Sequence, residues 1–415
     1  MSLATWLGFK PRPLPAPHVT AAPIVEVVLE GIRGQSVANL WRDQPHLRTV
    51  VGYLARNIAQ IGLHVYARDD DDGRTRLRTD PLAELLRIPN ADQTGYELLY
   101  TLVADLALYD TAYWAVARDE SRGDGRWSIR PIPPTWVANT YGNTAFGYGG
   151  YEVIFPESDG RPIRVPAKDM LVFHGWTPAD PRRGTSPVQA LKSTLAEQIN
   201  AQLYRDQRWR KGARADAYIA RPKDAPEWSK EARNRFVRAW RDAYTGNDGS
   251  DAGGNPLLED GMELKRTGFS AKDDQYVETS RLSLETVAQV YHVNPTMVGL
   301  LDNANYSNVR EFRRMLYGDT LGPTLEQIAQ RINAFLAPRV AADPTAYVEF
   351  NVKAKLQGSF EEQAAVMQSA VGAPWMTVNE ARARENMPAV ESGDELVQPL
   401  NITKPGATEP IEAAD

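Results

Sequence analysis

Cysteine is absent from this 415-residue sequence, and histidine occurs only five times. Without cysteine the chain has no disulfide bonds, no thiolate nucleophile and no cysteine-ligated zinc. No two histidines are spaced as in the His-Glu-x-x-His zinc motif, and neither the GxxxxGK(S/T) nor the GxGxxG nucleotide-binding pattern occurs. No apolar run approaches the roughly 20 residues that a membrane-spanning helix needs. We therefore expect no cofactor and no membrane segment.

The charge balance argues against a protein that holds DNA statically. The formal net charge is −6, whereas dedicated DNA-binding domains usually have a basic balance. Transient or sliding contact with DNA stays open. With 42% hydrophobic and 24% charged residues, the chain has the composition of a folded, soluble protein, and its length is sufficient for two or three domains.

Helices are predicted where apolar residues recur at helical spacing. Between Val50 and Ile61 the apolar residues share one helix face. A longer helix is expected to begin after Ser186, which caps it with Pro187 in the first helical position. Residues 120–183 are divided by Gly and Pro into short runs typical of strands. Further helices are predicted over Pro81–Arg87, Pro226–Tyr244, Gln275–His292, Phe360–Val371 and Val309–Leu336, the last with a break at Gly322-Pro323.

The acidic run "RDDDDGR" resembles a calcium-binding loop, but its spacing is wrong. With Gly73 in the sixth position of such a loop, positions one and twelve are Arg68 and Thr79, where the EF-hand needs Asp and Glu. A solvated hairpin turn is therefore the expected structure. A second hairpin is predicted around Asp260-Gly261.

His174 is the best candidate for a catalytic residue. It follows an apolar strand, and Asp169 or Asp180 could orient it as in a hydrolase. A triad of that kind needs a nucleophile on a sharp elbow such as GxSxG, which the sequence lacks. We expect His174 to cap or pack at the end of a strand, and we keep a hydrolase that uses His174 with a nearby carboxylate as the alternative function.

Basic residues cluster at Arg205–Arg214 and at Lys230–Arg241. Such clusters can contact phosphates, but acidic groups of the same or a neighbouring subunit can neutralise a solvated helix face equally well. The tryptophans between the arginines resemble a stacking platform for single strands, although their helical spacing favours burial.

The order of these segments resembles that of the portal proteins of tailed bacteriophages, the head-tail connector family. The resemblance extends over nearly the whole chain. It is most specific in "GMELKRTGF", in "VNPTMVGLLDNANYSNVREF" and in "TVNEARARENMPAVESGD". One departure lies at Asp110, in Asp110-Thr111-Ala112-Tyr113, where family members often have Gly-Asn before Ala-Tyr. We expect that departure to affect only a turn.

The resemblance implies an α+β portal fold with a β-rich wing, long stem helices, an α/β clip, a kinked tunnel helix and a mainly helical crown, assembled as a ring. The expected parts are a flexible arm (1–20), the wing (21–185), stem helix 1 (186–212), the clip (213–273), stem helix 2 (274–293), the tunnel loop (294–308), the kinked tunnel helix with further wing (309–345), the crown (346–402) and a disordered tail (403–415).

The resemblance also implies a non-enzymatic function in the virion, at one capsid vertex, after assembly in the host cytoplasm. A dodecamer would pass double-stranded DNA during packaging and ejection. Its partners would be the major capsid protein, the large terminase subunit, which supplies the ATPase chemistry, and then head-tail adaptor proteins. Another phage head or neck structural protein remains an alternative.

Two sets of site residues follow from the resemblance. In the tunnel loop, polar side chains are expected to contact DNA through hydrogen bonds and not to bind its phosphates as cations would. These residues are Asp302, Asn303, Asn305, Tyr306 and Ser307. Candidate partner contacts of the clip are Arg233, Arg238, Arg241, Asn247 and Asp248. Asn294-Pro295 is expected to end one helix, and Ser307 or Asn308 to start the next.

Overall fold

The computed structural model describes residues 36–68, 73–119, 126–144, 146–210, 217–222, 224–225, 227–244, 258, 261–266, 275–300, 311–312, 314–352, 355, 368–372, 375–384 and 387–396. The chain divides into two units, Met1–Phe350 and Asn351–Asp415. Both the arm and the tail that were expected at the two ends lie outside these residues.

The first unit begins with a pair of helices and a hairpin. A single residue, Gln44, joins α1 (Val37–Asp43) to α2 (Pro45–Ala59). The predicted apolar face of α2 is buried through to Ile61. Two antiparallel strands follow, β1 (Leu63–Arg68) and β2 (Arg74–Arg76). The expected hairpin is therefore confirmed, while the acidic residues at its tip lie outside the described ranges.

Two further helices complete this part of the core. They are α3 (Pro81–Arg87), which has the predicted bounds, and α4 (Gly95–Tyr109). A capping box starts α4, because Thr94 Oγ1 accepts from the Glu97 N–H while the Glu97 carboxylate accepts from the Thr94 N–H at 2.8 Å. Helix α4 packs along α2, so the first sheet and the later strands rest on a helical layer.

Six strands follow, and the last five of them confirm the predicted β-rich region of residues 120–183. They are β3 (Thr111–Arg118), β4 (Trp127–Ile132), β5 (Val137–Tyr141), β6 (Gly150–Val153), β7 (Ile163–Pro166) and β8 (Met170–His174). They form two antiparallel sheets, in the orders β4-β3-β8 and β5-β6-β7. Tyr113 of the first sheet and Tyr151 of the second lie in one buried cluster with Val137, Val153 and Met170, which joins the two sheets.

The long helix predicted after Ser186 is divided in two. Ser186 caps α5 (Pro187–Ala190) with Pro187 in the first turn, as predicted. The N–H of the buried Leu191 then bonds to the Val188 carbonyl at 3.2 Å, a three-residue step that tightens the turn. Helix α6 (Lys192–Arg210) begins after it. The prediction of one uninterrupted helix is therefore wrong at Leu191.

A small sheet and a helix follow. The strands β9 (Ala217–Ala220) and β10 (Glu263–Arg266) pair antiparallel, and α7 (Lys230–Tyr244) lies between them in sequence. The predicted start of this helix at Pro226 is too early, because Ser229 Oγ accepts from the Ala232 N–H at 3.2 Å and caps it. Of the second predicted hairpin, only the segment after Gly261 is described as a strand. This strand is β10, and it pairs with β9.

The remaining elements of the first unit return to the N-terminal sheet. They are α8 (Gln275–Val290), a 3₁₀ turn (Pro295–Val298), a π-helical turn (Leu316–Thr320), α9 (Gly322–Phe335), α10 (Ala337–Val340) and β11 (Ala346–Phe350). The predicted break at Gly322-Pro323 is present, since α9 starts there directly after the π turn. Strand β11 pairs with β1, with Val348 opposite Val65. The division between the units thus follows Phe350, whereas the expected crown begins at residue 346.

In the second unit one side chain holds a helix against the loop that follows it. Helix α11 (Val378–Arg384) contains Asn379, whose amide accepts from the Val390 N–H at 2.8 Å and donates to the Val390 carbonyl at 3.0 Å and to Asp394 at 2.9 Å. Of the predicted helix over Phe360–Val371, residues 368–371 are helical and the others lie outside the described ranges.

Candidate functional site

The segment expected to face DNA lies mostly outside the described residues. Residues 301–310 include all five of its site residues, Asp302, Asn303, Asn305, Tyr306 and Ser307, and also the expected cap Asn308. What the structure does describe is how the two ends of this segment are held. These holding residues, 291–300 and 316–321, are called the loop frame below.

The incoming end of the loop frame is a capped turn. Asn294 Oδ1 accepts from the Thr296 N–H at 3.0 Å and begins the 3₁₀ turn. Gly299 closes the turn with φ +104°, a conformation that favours glycine, and the Leu300 N–H bonds to the Pro295 carbonyl at 3.2 Å. The described part of the expected tunnel loop, residues 294–300, thus contains an ordered 3₁₀ turn.

The end of α8 is anchored to the helical core. Tyr291 is buried and its hydroxyl donates to the Ala107 carbonyl of α4 at 2.9 Å. Burial raises the pKa of Tyr291 above its ordinary value, so the hydroxyl stays a donor. His292 then adopts φ 56°, and this left-handed residue turns the chain out of the helix. α8 therefore ends at Val290, before the predicted limit of His292.

The outgoing end of the loop frame is tied to the incoming one. Thr320 Oγ1 donates to the His292 carbonyl at 2.8 Å. Thr320 ends the π turn, in which the Leu321 N–H reaches back five residues to the Leu316 carbonyl at 2.8 Å. π turns inside helices often occur at functional sites. The described chain before residue 301 and the π turn after residue 315 are thus joined directly to each other by this bond.

A second holding point fixes the start of the helix pair α5 and α6. Asp110 ends α4 in the left-handed region, with φ 55°, and its carboxylate accepts from the Thr185 N–H at 2.9 Å. Gly175 and Gly184 lie so close that a Cβ on either would fall 2.2 Å or less from an Asp110 oxygen. Ser186 Oγ donates to the Leu108 carbonyl beside it.

The same packing changes the acidity of Asp110. Burial raises the pKa of its carboxyl to about 6, against the opposing effect of the Thr185 N–H bond. Its position at the carboxyl end of a helix also disfavours the charged form. The expectation that the departure at Asp110 affects only a turn is therefore wrong, because the side chain bonds to a residue far away in sequence that no local pattern indicates.

The basic cluster of α7 is accessible to a partner. Arg233 and Arg238 are exposed, and neither forms an ion pair with any described residue; the Arg238 Nε donates to the Asn234 carbonyl at 3.4 Å. For Arg241 only the backbone is described, and Asn247 and Asp248 lie outside the described ranges. The structure therefore places two of the five candidate contacts on one exposed helix.

Aromatic side chains of α7 cluster with Trp228, which precedes the helix. Phe236 lies 4.9 Å from Trp228 and 5.9 Å from Trp240 between ring centroids. The helical spacing favoured burial of these residues. Phe236 and Trp240 nevertheless remain partly exposed, and none of the α7 side chains that the structure describes is buried. Arg233 precedes Phe236 by three residues and Trp240 by seven, so it shares their face of the helix, whereas Arg238 lies on the opposite side. This helix thus offers exposed cations both beside and opposite its aromatic residues.

His174 is not part of a catalytic group in the residues described here. Its ring Nδ1 lies 2.8 Å from the Gly175 carbonyl, and its own carbonyl accepts from Gln327 at 2.7 Å. Asp169 pairs instead with Arg339 at 3.4 Å, and Asp180 with Arg182 at 3.0 Å. His174 ends β8, as expected of a residue that packs at a strand end, and the alternative hydrolase site is not assembled.

The described ranges contain no group of three or more His, Asp or Glu side chains that could hold a metal ion. None of the helices within them has both the length and the apolar composition needed to cross a membrane.

Comparisons with known proteins match most of the chain. The family model described as Phage portal protein matches residues 45–386. The portal protein of Enterobacteria phage HK97 is 23% identical over 369 residues, which are 86% of this chain and 80% of that protein.

Solved structures show the same fold. A chain from the neck of an empty gene transfer agent particle has a TM-score of 0.57 and 22% identity, with 85% of this chain and 94% of that chain covered. A chain from the neck of the native particle, computed with C12 symmetry, has a TM-score of 0.55 and 20% identity, with 85% of this chain and 94% of that chain covered. An HK97-family phage portal protein from Corynebacterium diphtheriae has a TM-score of 0.55 and 17% identity, with 77% of this chain and 96% of that chain covered. The mixed helix-and-sheet fold expected from the sequence is thereby confirmed.

Proposed function

The chain belongs to the phage portal protein family, and from this membership we propose that it forms a dodecameric ring at one capsid vertex, through which double-stranded DNA is packaged and later ejected. The match of the family model to residues 45–386 is the observation on which the proposal depends. The neck of the native gene transfer agent particle, computed with C12 symmetry, supports a ring of that size.

In this proposal the parts of the chain have separate tasks. The sheets and helices up to Ser186 form the wing, and α5–α6 and α8 form the stem. The region from β9 to β10 is the clip, and residues 301–310 form the tunnel loop held by the loop frame. The second unit is the crown. The ring joins copies through heterologous contacts, which close on themselves when the rotation between neighbours is a whole fraction of a turn.

The accessible sides of α7 make the clip the docking site for other proteins. The large terminase subunit binds there during packaging, and a head-tail adaptor replaces it afterwards. The major capsid protein contacts the ring at the vertex. The ring itself contributes no catalysis, and the terminase supplies the ATPase chemistry that moves DNA.

The acidic balance of the chain suits a conduit. With a formal charge of −6 per chain, the ring repels the phosphate backbone and lets the duplex slide, whereas a basic lining would hold each phosphate. The tunnel loop then meets DNA through amide and hydroxyl groups.

Assembly is the first test. Mass photometry and negative-stain electron microscopy of the purified full-length chain should show closed rings, with the dodecamer of a 46.2 kDa subunit as the main species. Recombinant rings that vary by one subunit would still agree with the proposal. Monomers or dimers under every assembly condition would contradict it. Position in the genome is an independent check, since a portal gene is expected directly downstream of a large terminase gene.

A further inference from the structure

A cavity of about 180 Å³ is lined by residues from both sheets of the β-rich region. The sheet β4-β3-β8 contributes Tyr113 and Val172, which lie opposite each other on β3 and β8. The sheet β5-β6-β7 contributes Thr140 and Tyr151, which lie opposite each other on β5 and β6. Opposite residues on neighbouring strands share one side of a sheet, so each sheet presents such a pair to the cavity. The chain before α5, residues 182–186, adds a further part of the lining.

The buried part of this lining carries hydroxyl groups that lack partners. Tyr109, Tyr113, Thr140 and Tyr151 are each less than a tenth exposed. Thr140 Oγ1 is fully enclosed and bonds to no described residue, and the three tyrosine hydroxyls form no hydrogen bond with the described chain either. Most buried hydroxyls in proteins have a partner, because a buried polar group without one costs free energy. These hydroxyls therefore indicate a bound group that accepts hydrogen bonds.

The exposed part of the lining is cationic. Its charged side chains are Arg182 and Arg183, and both pair with the single carboxylate of Asp180, at 3.0 and 3.5 Å. Burial raises the pKa of Tyr113 and the pKa of Tyr151, so their hydroxyls stay protonated donors, and the charge of Arg183 opposes both shifts. This cation therefore acts at the hydroxyls. Water satisfies buried hydroxyls in many cavities, but the surplus positive charge here favours an anion.

The walls suit an organic anion better than an inorganic one. The rings of Tyr113 and Tyr148 lie 5.7 and 6.0 Å from the ring of Tyr151 between centroids, and Val172 adds another apolar side chain. In another protein, an apolar cavity of about 150 Å³ binds benzene. A volume of about 180 Å³ is therefore sufficient for an apolar group of that size with one acidic group attached.

We propose that this cavity binds a small organic carboxylate. Its oxygens accept hydrogen bonds from Tyr113, Thr140 and Tyr151, and its apolar part packs against the tyrosine rings. The Asp or Glu side chain of a neighbouring copy has the same chemistry and is the second source of the carboxylate. A free carboxylate binds within one chain, so the proposal does not depend on the proposed function.

Benzoate is the probe, because it combines one ring with one carboxylate. Isothermal titration calorimetry of the full-length protein should detect benzoate binding, and the Tyr113→Phe/Tyr151→Phe variant, which keeps both rings, should bind it at least about tenfold more weakly. Tyr96→Phe is the matched control, since Tyr96 does not line the cavity. Neutral benzamide should bind at least about fivefold more weakly than benzoate. Equal affinity of the natural chain and the double variant for benzoate would overturn the proposal.

Thermal unfolding separates a binding role of the two hydroxyls from a structural one. Without benzoate the double variant should melt at the temperature of the natural chain, because the hydroxyls have no partner in the described chain to lose. Excess benzoate should raise the melting temperature of the natural chain and not that of the variant. A lower melting temperature of the variant at unchanged benzoate affinity would assign the hydroxyls to the fold. Inorganic phosphate at the same concentration should give a smaller rise, and an equal rise would refute the organic class of ligand.

Oligomer formation distinguishes the two sources of the carboxylate. If the ligand is a free molecule, mass photometry should show the same fraction of assembled chains for the natural protein and the double variant, with or without benzoate. If a neighbouring copy supplies an Asp or Glu side chain, the double substitution and excess benzoate should each lower that fraction. Absence of benzoate binding together with an unchanged assembled fraction of the variant would overturn the proposal for both sources.

Discussion

Asp110 and Thr185 are joined by a hydrogen bond from the Thr185 N–H to the Asp110 carboxylate at 2.9 Å, although 75 positions separate them in the sequence. This bond holds the end of α4 to the residue before the cap of α5. The start of the proposed stem is thus fixed directly to the helical core, and its stability should depend on the protonation of one carboxyl group.

We predict that Asp110→Asn flattens the pH dependence of stability between about pH 4 and 6. The pKa of Asp110 is about 6 in the folded chain and about 3.9 in an unfolded one. The folded state therefore binds the proton more tightly, so this group makes the protein less stable as pH rises through that window. Asn keeps the hydrogen-bond acceptor, tolerates the left-handed conformation and never becomes charged.

Thermal unfolding of both proteins at a series of pH values measures this effect. Asp110→Asn should unfold at a higher temperature than the natural chain above pH 6 and at a similar temperature near pH 4. The control is Asp159→Asn, since Asp159 also has a positive φ, of 50°, but its carboxylate has no bond to a described residue. If both variants show the same pH profile, Asp110 is not the titrating group.

Ser186→Ala should lower the free energy of unfolding by about 1–2 kcal/mol. The substitution removes the cap of α5, in which Ser186 Oγ accepts from the Val188 N–H at 3.3 Å. It also leaves the Leu108 carbonyl without its partner. Denaturant unfolding measures the loss, and Ser158→Ala is the control because its hydroxyl bonds only to the Phe155 carbonyl within an exposed turn. Equal losses in the two variants would contradict the argument.

Asn333→Ala should lower the free energy of unfolding by about 1–3 kcal/mol. The substitution removes the side-chain partner of both the N–H and the carbonyl of Val348 at a sheet edge. The exposed edge should also raise the tendency to aggregate. Unfolding experiments and light scattering measure the two effects. Gln330→Ala on the same helix is the control, because the exposed Gln330 bonds only to Glu326. A loss no larger than that of the control would show that Asn333 does not protect the edge.

The elements that could be predicted from the sequence are those whose cause is local. The capping of α5 by Ser186 and the break before α9 at Gly322-Pro323 depend on neighbouring residues, and both are present. The apolar spacing did not indicate the interruption at Leu191, where the N–H bonds to Val188. The pairing of β11 with β1 and the Asp110–Thr185 bond depend on contacts between distant segments. No single-sequence pattern contains that information. For the candidate site, the sequence predicted that a helix ends at Asn294-Pro295. It did not predict that residues 295–298 form a 3₁₀ turn closed by Gly299.

We predict that Arg233→Glu/Arg238→Glu leaves the ring intact and weakens binding of the large terminase subunit. Both side chains are exposed on α7, and neither forms an ion pair with a residue that the structure describes. Reversing them inverts the charge at both positions and leaves Phe236 and Trp240 in place. Pull-down or surface plasmon resonance with the terminase should show at least about a tenfold loss of affinity that shrinks at high salt. Lys168→Glu/Arg161→Glu, on the exposed region before β8, is the charge-matched control.

Unchanged terminase binding by the double Arg variant would show that Arg233 and Arg238 do not contact the terminase. The variant Phe236→Ala would then test whether the aromatic residues of the helix contact the terminase. Because Phe236 contacts both Trp228 and Trp240, its loss should disturb the helix as well, so ring formation must be measured in the same samples.

The tunnel loop gives the sharpest test of the proposed channel. Asn303→Lys/Asn305→Lys should slow or stall DNA packaging without preventing ring assembly, because each copy then adds two cations that bind passing phosphates. The uncharged variant Asn303→Ser/Asn305→Ser should package normally. Packaging is measured as DNA protected from nuclease per filled capsid, and raising the ionic strength should partly relieve the lysine variant, since salt screens the new contacts. Normal packaging by the lysine variant would show that residues 301–310 connect two helices without meeting DNA.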